Sequence, residues 1–329
     1  MATRREFLKQ ISAIGLAAAT SRPIARAAQT GASTPASNTL GIVQTVLGPL
    51  DASKLGFTLT HEHICRNAAV LFGGRANSVA QAVDKLKEAR DAGVDTIVDV
   101  TPFDVGRDVR FGQEVSRKSG MQIVACTGQH FFAPESYNAR TLEAITELFI
   151  GEIERGIDGT DIKAGVIKVA ARSGVMTGAE EKVFQAAARA SQRAGEKQAD
   201  LLEAEGLSPA RVSLGHCNDT GDLDYLMRLA KRGYTLGMDH AFWGMVPEAA
   251  LPWRRRVECI KQLIDAGFVN QLFLSNDWVF GDVERDKINP DGLLYTTRKT
   301  IPYLKQIGVS QQAIHAITVE NPKRFFRRS

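Results

Sequence analysis

From residue 41 onward, apolar and polar positions repeat one theme: an amphipathic helix, a turn that contains glycine, and a short apolar, often β-branched run. Apolar residues at helical spacing predict helices at Ser78–Ala92, Arg107–Ser119, Ala139–Gly156, Leu223–Arg232 and Trp253–Ala266. The runs between them predict strands at Asp95–Val100, Met121–Cys126, Ala164–Val169, Arg211–His216, Tyr234–Asp239 and Val269–Ser275, and a further short strand leads to His61. Continuously apolar strands that alternate with helices are typical of a parallel sheet covered on both faces.

The pattern contains seven strands, whereas a closed (β/α)8 barrel needs eight. Between Val169 and Arg211 lies a single helical pattern, Ala179–Glu205, which is long for a globular helix without a cap. It resembles two helices fused after the strand between them was lost. We therefore expect an α/β fold, a (β/α)8 TIM-type barrel over residues 40–329, with strand five missing. Strands four and six should then have unpaired edges.

Charge and composition change this picture only at the N terminus. The formal net charge of +4 comes entirely from residues 1–27, so the remainder is neutral and does not favour nucleic acid or an anionic membrane as a partner. A twin-arginine pattern at Thr3–Lys9 precedes the apolar run Ile11–Ala19, which is too short to span a membrane, and Ala25-Arg26-Ala27 is a small-x-small cleavage site. We expect residues 1–27 to be a signal peptide for the twin-arginine export machinery, 28–39 a polar linker, and the protein periplasmic or exported. A basic N-terminal helix is the alternative.

Side chains that bind metals gather at the predicted strand ends. Five of the six histidines lie there, namely His61, His63, His130, His216 and His240. His61 and His63 are two positions apart, so both imidazoles project from one face of a strand. Imidazoles that converge in this way begin a transition-metal site, although a chance surface pair has the same spacing.

Lys168 is unusual because apolar residues flank it on both sides in the run Val166–Ala170. An isolated buried ammonium is costly, so this lysine should pair with Asp99, extend to solvent, or react with CO₂ to give a carbamate that bridges two divalent metals. Asp277 follows another apolar strand and offers an oxygen ligand and a proton acceptor, and His240 could pass the proton onward. The chemistry indicated is hydrolysis of an ester-like bond by a metal-bound hydroxide.

The motifs that carry this chemistry resemble the phosphotriesterase family of the amidohydrolase superfamily from about residue 40 to 326. They are Phe57–Ile64, Ile97–Val100, Phe103–Asp108, Gly165–Val169, Gly215-His216, Gly237–His240 and Leu274–Gly281. The resemblance implies a binuclear metal centre, with Zn²⁺ favoured over Co²⁺ or Mn²⁺. It implies that His61, His63 and Asp277 hold the buried metal, that carboxylated Lys168 bridges, and that His216 binds the exposed metal. Asp239 and His240 would form the proton relay.

One departure from the family bears on activity. Family members carry a further metal-binding histidine at the end of strand five, which this chain lacks. The exposed metal would keep only His216, the carbamate and water, so we expect this site to be weak or empty. Either His130 or part of Gln192–Leu202 could move in to compensate.

The expected substrate is a small ester, most directly an aryl dialkyl phosphate triester. A lactone hydrolysed on the same centre, or a deletion variant with impaired metal binding and little activity, are the alternatives. His130 and Phe131 after strand three, and Phe242 and Trp243 after strand seven, are candidate pocket residues, although the latter two could simply cover a helix. The resemblance also implies a homodimer. The cysteines are predicted to be core residues rather than disulfides: Cys65, Cys126, Cys217 and Cys259.

Overall fold

The structure is a computed structural model, and it describes residues 14–18, 41–130, 137, 139–170, 177–191, 208–245, 249 and 251–327. The strands are β1 Ile14–Ala18, β2 Ile42–Thr45, β3 Gly48–Asp51, β4 Thr58–Glu62, β5 Thr96–Asp99, β6 Gln122–Val124, β7 Cys126–Gln129, β8 Val166–Ala170, β9 Val212–Gly215, β10 Thr235–Met238 and β11 Leu272–Leu274. Strands β4, β5 and β6 pair in parallel, as do β7 and β8, and as do β9, β10 and β11. Only Ala125 separates β6 from β7, so these two form one interrupted strand.

The sheet closes between its first and last parallel strands. The Asp277 amide donates to the His61 carbonyl at 3.0 Å, and the His63 amide donates to the Trp278 carbonyl at 2.8 Å. Closure leaves no exposed edge at this seam. The predicted α/β TIM-type barrel is thus confirmed.

The fifth position of the barrel is filled in a way that the sequence did not predict. In the described part of the chain no parallel strand lies between β8 and β9, which agrees with the predicted loss of strand five. Strand β1 lies there instead, antiparallel to both neighbours. The expectation that strands four and six have open edges is therefore wrong, because backbone from the N-terminal region pairs with both. The assignment of these same residues to an export signal stays a prediction.

Helices flank the strands in the predicted order. They are α1 Arg75–Asp91, α2 Val109–Ser119, α3 Leu142–Glu154, α4 Gly178–Ser191, α5 Leu223–Lys231, α6 Trp253–Asp265, α7 Val283–Ile288, α8 Ile301–Gln306, α9 Gln311–His315 and α10 Asn321–Phe326. In helix α2, local interactions set where the helix begins and ends. The Asp108 carboxylate accepts from the Phe111 amide at 2.8 Å at its start, and Gly120 ends the helix in the left-handed region at φ 76°. Helix α4 is the first part of the predicted Ala179–Glu205 pattern, and residues 192–205 lie outside the described residues.

The larger buried apolar cluster lies between the strands and the helices, and a second cluster contains Val98, Val124, Val166 and Phe273 of the barrel strands. The hairpin of β2 and β3 packs against the end of the barrel where the parallel strands begin. The Val46 amide beyond β2 donates to the Ile123 carbonyl at 2.8 Å.

All four cysteines are buried and free, as predicted. Among the described residues, no helix combines the length and apolar character needed to cross a bilayer.

Candidate metal centre

His61 and His63 lie at the C-terminal end of β4 and both point toward Asp277. The Nε2 atoms of His61 and His63 are 3.5 Å and 3.2 Å from Asp277 Oδ1, and all three residues are buried. The opposite ring nitrogens are held: His61 Nδ1 lies 2.7 Å from Asp239 Oδ2, and His63 Nδ1 lies 3.1 Å from Thr101 Oγ1. A partner on Nδ1 fixes the ring and leaves Nε2 available as a metal ligand.

Glu62 lies between these histidines in sequence and points the other way, as strand alternation requires. Its buried carboxylate accepts from the Ser275 hydroxyl at 2.7 Å, the Asn276 amide at 2.9 Å and the Trp278 amide at 2.8 Å. Burial raises the pKa of Glu62 to about 8. These bonds join β4 to the segment after β11 and thereby place Asp277, whose φ of 51° needs such support. Sequence reasoning missed this role, although the middle position of His-Glu-His indicated the opposite face.

Lys168 is completely buried, so the alternative in which it extends to solvent is wrong. Its Nζ lies 3.1 Å from His61 Nε2, and burial lowers its pKa to about 8. The Asp99 carboxylate meanwhile accepts from the backbone amides of Ile64, Cys65 and Thr101, which holds the turn after β4. The lysine therefore joins the histidine cluster, where an amine within the barrel could become a metal ligand after reaction with CO₂.

His216 follows β9 and contacts the same carboxylate from the other side. Its Nε2 is 3.9 Å from Asp277 Oδ2, and its ring stacks on that of His240 with centroids 3.5 Å apart. The backbone amide of His216 donates to Asp239 Oδ1 at 2.7 Å. Asp239 thus contacts both His61 and His216.

The His240 ring hydrogen-bonds to a second carboxylate, that of Asp219. The sequence analysis did not identify this residue. His240 Nε2 lies 3.0 Å from Asp277 Oδ2, and His240 Nδ1 lies 3.0 Å from Asp219 Oδ2. Although burial lowers it, the pKa of His240 is raised to about 9 by Asp219 and then Asp277. The buried Arg256 guanidinium donates to Asp219 and, at 3.2 Å, to the His240 carbonyl. An acid three residues after His216, in the turn after β9, was the available signal.

The residues present fit a metal ion. One ligand atom from each of His61, His216 and Asp277 can be chosen so that all lie within 4.8 Å of one another. The buried His216 Nε2 has no hydrogen-bond partner among the described residues, and an orphaned imidazole nitrogen beside a carboxylate is a ready metal ligand. A second group, His216, Asp219 and His240, has the same spacing. Its carboxylate is already paired with Arg256.

Residues 41–326 match the model of the phosphotriesterase family. This chain belongs to that family. The chain is 33% identical over 307 positions to an aryldialkylphosphatase of Saccharolobus solfataricus, covering 84% of this chain and 96% of the relative. It is 27% identical over 341 positions to an N-acetyltaurine hydrolase of Salmo salar, covering 87% and 97%. The solved phosphotriesterase of Mycobacterium tuberculosis superposes with a TM-score of 0.79 at 31% identity, covering 87% of this chain and 98% of that one.

The alignment lengths agree with a lost segment in this member of the phosphotriesterase family. The aligned part of this chain is 84% of 329 residues, or about 276 residues, which is fewer than the 307 aligned positions. The aryldialkylphosphatase therefore has residues at positions where this chain has none. Phosphotriesterase-family proteins are metal-dependent hydrolases with binuclear centres, and the cluster described above is where this chain could bind metal.

The expected pocket residues of this phosphotriesterase-family chain fall in different places. Trp243 is half-buried, 5.5 Å from the His240 ring, with the Arg285 guanidinium 4.7 Å from its centroid. Phe242 is instead buried and belongs to the hydrophobic core, with its ring centroid 5.0 Å from that of Trp243 and 6.2 Å from that of Tyr295. The backbone amide of His130 donates to Asp104 Oδ1 at 3.0 Å. Burial and then the nearby Lys168 lower the pKa of the His130 ring to about 2. Phe131 lies outside the described residues.

Proposed function

We propose that this protein is a metal-dependent hydrolase of aryl dialkyl phosphate triesters. The observation that carries the proposal is the convergence of His61, His63, Lys168, His216 and Asp277 at one end of the barrel. The aryldialkylphosphatase relative supports the substrate class, and the family supports the hydrolase chemistry.

We assign the metal ligands by position. His61, His63 and Asp277 would hold one metal, His216 would contribute to a second, and Lys168 would bridge them after its neutral amine adds to CO₂ and releases a proton. Imidazole and carboxylate donors suit Zn²⁺. Bound divalent metal would supply a hydroxide at neutral pH and polarise the phosphoryl oxygen.

The remaining residues act around that chemistry. Asp277 would accept the proton that is released when water attacks. His240, whose ring the positive charge of bound metal would keep neutral, would carry the proton away because its Nε2 faces Asp277 at 3.0 Å. Asp219 and Arg256 would hold the His240 ring in place, and Asp239 would orient His61. Trp243 would form the apolar wall against the leaving group.

The second metal is expected to bind weakly. All six histidines are accounted for: five surround the centre or its rim, and His315 is exposed on α9. None comes from the fifth position, so His216 would be the only imidazole for this metal, below the usual three protein ligands of a catalytic zinc.

Metal content and substrate preference test the proposal together. The full chain would be purified with Zn²⁺ and bicarbonate, its metals counted by mass spectrometry, and its turnover compared on paraoxon, a long-chain lactone and N-acetyltaurine. We expect one tightly bound and one weakly bound metal per chain, with paraoxon the best substrate. His216→Ala should lose the weak metal, whereas the matched control His315→Ala should not.

The rival functions predict other outcomes. If the lactone is hydrolysed faster than paraoxon, the lactonase hypothesis is favoured. If N-acetyltaurine is hydrolysed fastest, the chain has the activity named for its N-acetyltaurine hydrolase relatives. Metal-loaded protein that hydrolyses none of the three would refute the proposal and leave a metal-binding protein without this activity.

A further inference from the structure

The sheet position between β8 and β9 is occupied by backbone that precedes the barrel in sequence. Strand β1 pairs with β8 from Ile14 opposite Ala170 to Ala18 opposite Val166, and with β9 from Ile14 opposite Gly215 to Ala17 opposite Val212. We infer that Ile14–Ala18 is the replacement fifth strand of this barrel and that the folded protein requires it to stay attached.

The neighbouring strands explain why a replacement is needed. Every residue of β8 is buried, and so are the first three of β9. Without β1, their facing amides and carbonyls would be left unpaired in a buried site, which costs as much as lost hydrogen bonds. An open strand edge of this kind is satisfied by adding an extended segment. The apolar, uncharged sequence Ile-Gly-Leu-Ala-Ala suits such an interior position.

The path of the chain is compatible with this placement. Ala18 lies opposite Val166 at the barrel end where the parallel strands begin. Gly165, the neighbour of Val166, packs so closely on the Gln44 carbonyl of β2 that no Cβ would fit. Residues 19–40 therefore have to connect two points at the same end of the barrel. At about 3.3 Å per residue, they are more than long enough.

The replacement strand also sets the spacing of the metal centre. Leu16 is in register with Lys168 on one side and with Ser213 on the other, and Ile14 is opposite Gly215, next to His216. Adjacent strands lie about 4.8 Å apart, so one inserted strand separates β8 from β9 by roughly 10 Å. If β8 and β9 paired directly, this separation would halve and the ligands on them would no longer face Asp277 as described.

This role conflicts with the predicted export signal. The apolar run Ile11–Ala19 that export machinery would read contains β1, and cleavage after Ala27 would remove it. If the signal prediction holds, a chain cannot be processed there and keep its fifth strand. The strand inference itself does not depend on the signal prediction.

Hydrogen–deuterium exchange on the full-length protein tests the inference. In the wild-type chain, the amides of residues 14–18 should be protected, together with those of β8 and β9. Leu16→Pro removes a donor and blocks strand pairing at the centre of β1. It should raise exchange at 166–170 and 212–215 roughly 100-fold and leave β5, Thr96–Asp99, less affected. Ala28→Pro, in the predicted linker, is the matched control and should change neither region.

Two results would overturn the inference. The first is wild-type exchange at residues 14–18 as fast as in an unstructured peptide, a readout that holds even if Leu16→Pro fails to fold. The second is a Leu16→Pro protein whose β8 and β9 amides exchange like those of Ala28→Pro. A companion measurement is thermal unfolding, where Leu16→Pro should melt at least about 5 °C lower than the Ala28→Pro control.

Discussion

Replacing Asp219 by asparagine tests the proposed proton relay, in which Asp219 holds the His240 ring beside the candidate metal centre. The Asp219 carboxylate contacts His240 Nδ1 at 3.0 and 3.1 Å and pairs with Arg256, whose side chain is only 5% exposed. Asparagine keeps the size and one oxygen acceptor but removes the charge that both partners face. The ring of His240 would then lose its orientation toward Asp277.

Two magnitudes follow from these contacts. Breaking a buried ion pair costs about 3–5 kcal/mol, and the retained asparagine oxygen should offset part of this, so we expect a loss of about 3 kcal/mol. For a chain of this size 1 kcal/mol corresponds to about 1.5 °C, so the melting temperature should fall by roughly 4–5 °C. Loss of a partner that orients an active-site imidazole costs roughly 10–100-fold in activity, which should appear in kcat.

The pH dependence of stability gives an independent readout on the metal-free protein. The pKa of His240 in the folded chain, about 9, is above the ordinary 6.5. Its pairing with Asp219 therefore contributes stability below pH 6.5, and this contribution is lost as the pH rises toward 9. Urea midpoints measured in EDTA at pH 6 and pH 9.5 should show this loss in wild type, and a smaller one in Asp219→Asn.

Two further variants separate positioning from stability. Asp224→Asn removes the same charge from an exposed site on α5 and should change neither activity nor melting. Adding Arg256→Gln to Asp219→Asn removes the unpaired guanidinium, so stability should partly return while activity stays low. Asp219→Asn protein with wild-type kcat would show that Asp219 has no part in proton transfer.

Three other predictions concern Lys168 and its surroundings. Lys168→Ala should lose at least one metal per chain and about 100-fold or more in activity. The control Lys231→Ala, at an exposed position, should keep the wild-type metal content and activity, measured by mass spectrometry and paraoxon kinetics. Gly128→Ala would place a Cβ too close to the Lys168 carbonyl oxygen to fit, whereas Gly48 has a similar φ, 109° against 112°, and open space around it. Gly128→Ala should therefore melt far below Gly48→Ala, and equal melting would contradict the close approach. Trp243→Ala should raise KM for paraoxon several-fold with little change in kcat, and an unchanged KM would remove Trp243 from the pocket wall.

The sequence predicted what depends on local periodicity and on strand ends. The parallel strands from β4 onward, the flanking helices and the gathering of His61, His63, Lys168, His216 and Asp277 all follow from the alternation of apolar runs with helices. The partners of these residues could not be predicted in the same way. Asp219 and Glu62 act through contacts with residues that follow a neighbouring strand, and neither spacing nor composition shows which of several acids will contact a given imidazole.

The fifth strand shows a different limit of sequence reasoning. A missing element is visible as a count of seven strands and an overlong helical pattern, but its replacement has no required position along the chain, because antiparallel pairing accepts any extended apolar segment that can reach the gap. In this chain the segment that reaches it also has the pattern of an export signal. The two roles of Ile14–Ala18 exclude each other in one molecule. A chain that keeps this segment paired with β8 and β9 holds Lys168 and His216 two strand spacings apart. A chain that is exported and cleaved has an open barrel beside these residues. Retention of the N terminus in the active protein would then be a requirement of the metal centre as well as of the fold.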